Sequence, residues 1–145
     1  MLKGISPILS PELLKALAEM GHGDELVIAD GNFPCHSVGK NSVVIRADGH
    51  GVPEILDAVL KLVPLDTYTK KPVALMEVVP GDTCGTPEIW KTYEEILSKH
   101  EPNCHDTQYI ERFAFYERAK NAYLIIATGE KAIYANILLK KGVVK

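Results

Sequence analysis

The stretch SPELLKALAEMGHGDELVIADG, residues 10–31, holds one cycle of helix, polar turn, buried strand and exit turn, and the rest of the chain repeats that grammar. Ser10 reads as an N-cap, Pro11 fills the first helical position, where its missing N–H costs nothing, and Glu12 sets an acid near the positive helix end. Leu13, Leu14, Leu17 and Met20 recur at helical spacing, and Gly21 stands where a left-handed C-cap is wanted. Leu26 to Ala29 is a short apolar run ended by Asp30-Gly31, which predicts a buried strand and a turn.

Working outward, Val43-Val44-Ile45 leads through Asp48-Gly49-His50-Gly51 to a helix opened by Pro53-Glu54, with Val52, Ile55, Leu56, Val59, Leu60 and Val63 on one stripe. A strand follows over Val73 to Val79. Thr86-Pro87-Glu88 starts another helix, whose apolar face of Ile89, Trp90, Tyr93, Ile96 and Leu97 reads as core. Lys99 to Asp106 is a polar loop; a short helix over Phe113 to Ala119, a strand over Tyr123 to Ala127 and a last strand over Ile137 to Leu139 complete the chain. Helical patterns alternating with continuous apolar strands predict an α/β fold, a three-layer α/β/α sandwich with a mixed, mostly buried sheet, in a single domain over residues 1–145.

At 46% hydrophobic and 24% charged residues the chain has an ordinary globular composition. Its net charge of −3 is the wrong sign for a nucleic-acid surface, and its longest apolar runs are far shorter than the ~20 residues that span a bilayer. Pro7 and Pro11 interrupt anything resembling a signal peptide, so a cytoplasmic protein is expected. Cys35, Cys84 and Cys104 are odd in number and lack a Cys-x-x-Cys pair; free thiols are expected.

Open α/β sheets bind ligands beyond the carboxyl ends of their strands, which directs attention to Asp30, Asp48 and Asp82. Asp48 and Asp82 sit in plain glycine turns, whereas Asp30 leads a longer loop containing Phe33, Pro34 and His36. His22, between Gly21 and Gly23, has two balanced readings: a ligand-facing imidazole held in one tautomer by Asp24, or a cap on the preceding helix. Cys104-His105 near His100 reads as a solvated coincidence, not a metal site; no phosphate loop, dinucleotide fingerprint or serine-hydrolase elbow is present, so no cofactor is expected. The last third mixes Arg112, Phe113, Phe115, Tyr116, Glu117, Arg118, Tyr134 and Asn136, a blend that suits neutral sugars, whose hydroxyls need oriented polar partners and whose C–H faces pack on rings. The plainer reading puts Phe113 and Phe115 in the core and Glu117 with Arg118 in a surface ion pair.

The blocks Ser10 to Lys15, Met20 to Glu25, Phe33-Pro34, Ile45 to Gly49, Arg112 to Ala119 and Tyr134 to Val143 together resemble the ribose pyranase/fucose mutarotase family, and within it the fucose members. The resemblance runs almost end to end. It implies a cofactor-free aldose 1-epimerase that interconverts the α and β anomers of L-fucose, with ribose pyranose–furanose conversion as a side reaction. It also implies His22 as general acid, with Asp30, Arg112, Tyr134, Ala135 and Asn136 binding sugar. Such chemistry moves only protons, a task for an acid–base group and a positioning pocket. A non-catalytic sugar-binding subunit is the competing reading. If Leu26 to Ala29 is extended at ~3.3 Å per residue, His22 and Asp30 stand near its opposite ends. Either the glycine-flanked turn doubles back or two chains share the pocket. The family resemblance implies ring-like homo-oligomers with sites at subunit contacts, and an oligomer is expected.

Overall fold

A computed structural model describes residues 1–103 and 105–145. Its strands are β1 (Glu25–Ala29), β2 (Val43–Ala47), β3 (Val73–Met76), β4 (Thr107–Ile110), β5 (Leu124–Thr128) and β6 (Ile137–Lys140). They form one sheet in the order β2-β5-β1-β6-β3-β4. β6 runs antiparallel to both neighbours, β1 and β3, while the other pairings are parallel, so the sheet is mixed as expected. The helices are α1 (Pro11–Glu19), α2 (Cys35–Val38), α3 (Val52–Leu60), α4 (Glu88–His100) and α5 (Arg112–Ala119).

Side chains alternate across a strand with a period of two, and β1 uses both faces. Leu26 and Ile28 enter a core built with Leu13 and Leu17 of α1, Ile55, Leu56 and Val59 of α3, and Tyr93 and Leu97 of α4. Val27 and Ala29 enter a second core with Phe33, Val38, Phe115 and Ala119. A sheet so covered must be apolar on both sides, which is why its central strands read as unbroken hydrophobic runs. The result is the three-layer α/β/α sandwich. No described helix is long and apolar enough to cross a membrane.

Several expectations need correction. Ser10 does cap α1, its hydroxyl accepting from Leu13 N–H at 3.1 Å, but the helix ends at Glu19 and the extended Met20 drops into the core. The left-handed residue is therefore Gly23, at φ 86°, and not Gly21. β3 stops at Met76, three residues short of Val79, because both its partners run out there: β6 begins at Ile137, opposite Leu75, and β4 ends at Ile110, opposite Met76. β4 went unpredicted; as an edge strand of sequence Thr-Gln-Tyr-Ile it lacks the apolar run of the central strands. Phe115 is core but Phe113 is exposed, since residues two apart on a helix point to different sides. Arg118 does not pair with Glu117. It grips Glu25 of β1 through Nε and Nη2, the closest contact 2.7 Å, and fastens α5 to the sheet. Cys35 is buried, which pushes its thiol up to about 11, and Cys84 is exposed; Cys104 lies outside the described residues.

The α3–α4 contact carries a pH-dependent tie. Asp57 Oδ1 accepts from His100 Nε2 at 2.7 Å and Lys99 Nζ at 3.0 Å, and these bonds, the first foremost, hold its carboxyl at about 2 against an ordinary 3.8. A carboxyl depressed in the folded state adds stability that is complete above its unfolded value and is lost as pH falls through the folded one. Wild type is expected to melt above Asp57→Asn from neutrality down to pH 3.8, with the gap closing towards pH 2. Calorimetry across that range checks this, and a gap independent of pH would overturn it.

Candidate functional site

At the carboxyl end of the parallel strands the chain encloses an open cavity of about 280 Å³. This is just under the roughly 300–1,000 Å³ range of ligand clefts, a size for a small molecule. Asp30 enters it on leaving β1, Arg112 where α5 follows β4, and Tyr134 and Asn136 just before β6, whose reversed direction brings its beginning to the same edge. Four of the six residues singled out from sequence thus share one cavity. Its remaining walls include Phe33, Met76, Val79, Asp82 and Tyr116.

Asp30 is 7% exposed, its backbone N–H donates to Asn136 Oδ1 at 2.8 Å, and its own Oδ1 accepts from Asn32 N–H at 3.0 Å. Asn136 is fixed by that first bond, so its amide NH₂ is the end left to read an acceptor. Burial raises the Asp30 carboxyl above its ordinary 3.8, against the pull of the Asn32, Ala135 and Phe33 amides. A raised carboxyl penalises the folded state once pH exceeds the unfolded value. Asp30→Asn is therefore expected to raise the melting temperature at neutral pH, the gain vanishing below about pH 3.8; thermal scans at the two pH values decide it. A buried carboxylate that costs stability is the kind of group a fold keeps for a ligand.

Tyr134 sits at φ 54°, a conformation that costs a bulky residue roughly 1–3 kcal/mol and persists only when its surroundings impose it. Two side chains of α4 do so from below. Trp90 Nε1 donates to the Tyr134 carbonyl at 2.8 Å and Tyr93 Oη to the Ala135 carbonyl at 2.6 Å. The apolar stripe of α4 thus has a second task that its spacing did not reveal. Ala135 itself is fully buried behind the cavity and presents no side chain to it.

Arg112 lies exposed at the start of α5, its guanidinium carbon 5.3 Å from the Phe113 ring centre and 5.5 Å from that of Tyr116, with Nε donating to Tyr116 Oη at 3.3 Å. Stacking on two rings orients the planar fork at the cavity mouth. Tyr116 in turn packs edge-on against Phe33, at 5.4 Å between centres.

His22 is elsewhere. It precedes β1 at the opposite edge of the sheet, and the five residues of β1 alone put roughly 16 Å between that edge and Asp30. Nor does Asp24 hold its ring: that carboxylate accepts from Gly21 N–H at 2.7 Å. The partner is Asp66, whose Oδ1 lies 3.0 Å from His22 Nε2. The Asp66 side chain is 4% exposed against 46% for His22, so a buried carboxylate backs an imidazole open to solvent. Burial pushes Asp66 up, but the Tyr68 N–H and then His22 outweigh it and leave its carboxyl below the ordinary 3.8. Nothing in Pro64-Leu65-Asp66-Thr67 advertises this, because the pairing crosses 44 residues. Exposed Tyr68 lies against the His22 ring at 5.2 Å. Among the described residues no group of three or more His, Cys, Asp or Glu side chains is placed to hold a metal ion.

Comparison with known proteins finds that the model of the RbsD / FucU transport protein family matches residues 3–144. A fucose mutarotase from Mus musculus is 56% identical over 146 residues, covering 97% of this chain and 94% of its own. Among solved structures, FucU from Bifidobacterium longum superposes with a TM-score of 0.95 at 60% identity, over 99% of this chain and 100% of that one. The fucose mutarotase from Streptococcus pneumoniae, solved in complex with L-fucose, superposes with a TM-score of 0.93 at 49% identity and the same coverage.

Proposed function

The chain belongs to the RbsD / FucU transport protein family, and from that premise we propose that it is an L-fucose mutarotase, an isomerase that interconverts the α and β anomers of the free sugar. The observation that carries the reading is the cavity: Asp30, Arg112, Tyr134 and Asn136 converge there beside the Phe33 and Tyr116 rings. These are hydroxyl readers next to an apolar wall, which is what a deoxy-sugar with hydroxyls on one rim and a methyl group on another requires.

The chemistry follows from the groups. An imidazolium donates a proton to the ring oxygen as Tyr134 or a water relays the proton of the anomeric hydroxyl to solvent; the C1–O5 bond breaks and C1=O1 forms. Rotation about C1–C2 presents the other face of the aldehyde, and closure returns both protons. His22 is the acid–base group, and Asp66 is the residue that orients it. Since His22 and the cavity lie at opposite edges of one chain, the working site joins the cavity of one subunit to His22 of the next. A head-to-tail contact of this kind uses two different surfaces and closes into a ring or a chain of subunits. Tyr68, 74% exposed beside His22, and Phe113, 65% exposed beside Arg112, give the two surfaces apolar material to bury.

Saturation transfer between the anomeric proton signals of L-fucose tests the reading, with L-galactose and D-ribose measured alongside. Exchange is expected to be fastest with L-fucose, because an apolar wall and a fixed hydroxyl set discriminate a methyl from a hydroxymethyl group by about 10–200-fold. Ribose fastest would reassign the chain as a pyranase; exchange at the buffer rate for all three would leave a sugar-binding subunit.

A further inference from the structure

We infer that Asp82 is a positioning residue of the mutarotase site, fixing the hydroxyl of Tyr134 so that it meets the sugar as an acceptor and therefore reads a sugar hydroxyl and not the ring oxygen. The inference rests on the mutarotase reading and deepens it. Asp82 belongs to the loop after β3, and its carboxylate is held from both sides: Oδ1 accepts from Cys84 N–H at 3.0 Å, and Oδ2 accepts from Tyr134 Oη at 2.6 Å. The Val79 N–H also points at Tyr134 Oη, at 3.3 Å. A phenol has one proton and two lone pairs. Here the proton is given to Asp82 and one lone pair faces Val79, so what remains for a ligand in the cavity is a lone pair.

A ring oxygen carries no proton and cannot engage that lone pair, whereas every sugar hydroxyl can. Asp82 and Val79 themselves line the cavity with Tyr134, so the polarity is set where the sugar sits. The same contact raises the Tyr134 phenol above its ordinary 10 and lowers the Asp82 carboxyl below 3.8, the directions expected when an ionised acid accepts from a neutral phenol. The sequence placed Asp82 beyond the carboxyl end of a strand but favoured it as a turn former, which it also is.

The test is a double-mutant cycle on Asp82→Asn and Tyr134→Phe, read by L-fucose anomer exchange at several sugar concentrations. Asparagine can offer its NH₂ and let the phenol swing round, so Asp82→Asn is expected to lower kcat/KM about tenfold, the usual value of one charge-assisted hydrogen bond. In the Tyr134→Phe background the same change should add nothing, and Asp82→Glu should recover part of the loss. Independently, the Tyr134 Cζ resonance should titrate at lower pH in Asp82→Asn than in wild type. Wild-type exchange in Asp82→Asn, losses that multiply, or an unmoved phenol titration would each overturn the inference while leaving the mutarotase reading intact. A wild-type protein without anomer exchange takes down both.

Discussion

His22→Ala is expected to slow the exchange of L-fucose anomers by about 10²–10⁴-fold while the protein still folds and still binds the sugar. In barrier terms that is about 3–5 kcal/mol, the whole contribution of a positioned acid–base group and none of the pocket. The separation follows from geometry: the His22 ring is half exposed at the far edge of the sheet, whereas Asp30, Arg112, Tyr134 and Asn136 make the cavity without it. Asp66→Asn should lose less, because it leaves the imidazole in place and removes only the charge behind it. Saturation transfer gives the rates, and titration of the shift changes of bound fucose gives the affinity. A His22→Ala protein that exchanges anomers as fast as wild type would falsify the acid–base assignment; one that has lost affinity in proportion to rate would make His22 a binding residue.

How much of this was legible beforehand depended on distance along the chain. The strand Leu26 to Ala29 and the helix behind Ser10-Pro11-Glu12 are written in contiguous residues, through burial on both faces and a cap, and both appear within a residue of where they were expected. Asp30 was legible because a carboxylate leaving a parallel strand stands at the ligand-binding edge by topology alone. What escaped was pairing across the sequence. Asp24 stood two residues from His22 and looked like its partner, yet a turn glycine took its carboxylate and the imidazole found Asp66. The braces Trp90 and Tyr93 were hidden by their own hydrophobicity, since a core stripe gives no sign that its indole N–H and phenol will hold up a backbone 42–44 residues on. Edge strand β4 was missed for the opposite reason: too little of it is apolar to stand out.

Mixing two inactive proteins is expected to restore activity. Asp30→Asn spoils the cavity but keeps His22, and His22→Ala keeps the cavity but has no acid, so alone each assembles only defective sites. If subunits meet head to tail, a co-assembled 1:1 mixture places an intact cavity against an intact histidine at about a quarter of its contacts, and activity should return to about a quarter of wild type. The gain over either parent is then far larger than any single substitution could produce. One chain carries His22 before β1 and Asp30 after it, and no bend in a five-residue strand brings them together. Co-denaturing and refolding the two variants, then reading anomer exchange against each variant refolded alone, makes the measurement, with gel filtration to report the assembly. A mixture as inactive as its parents, or a wild-type monomer with full activity, would place the acid within the same subunit as the cavity and require another residue near Asp30 to supply it.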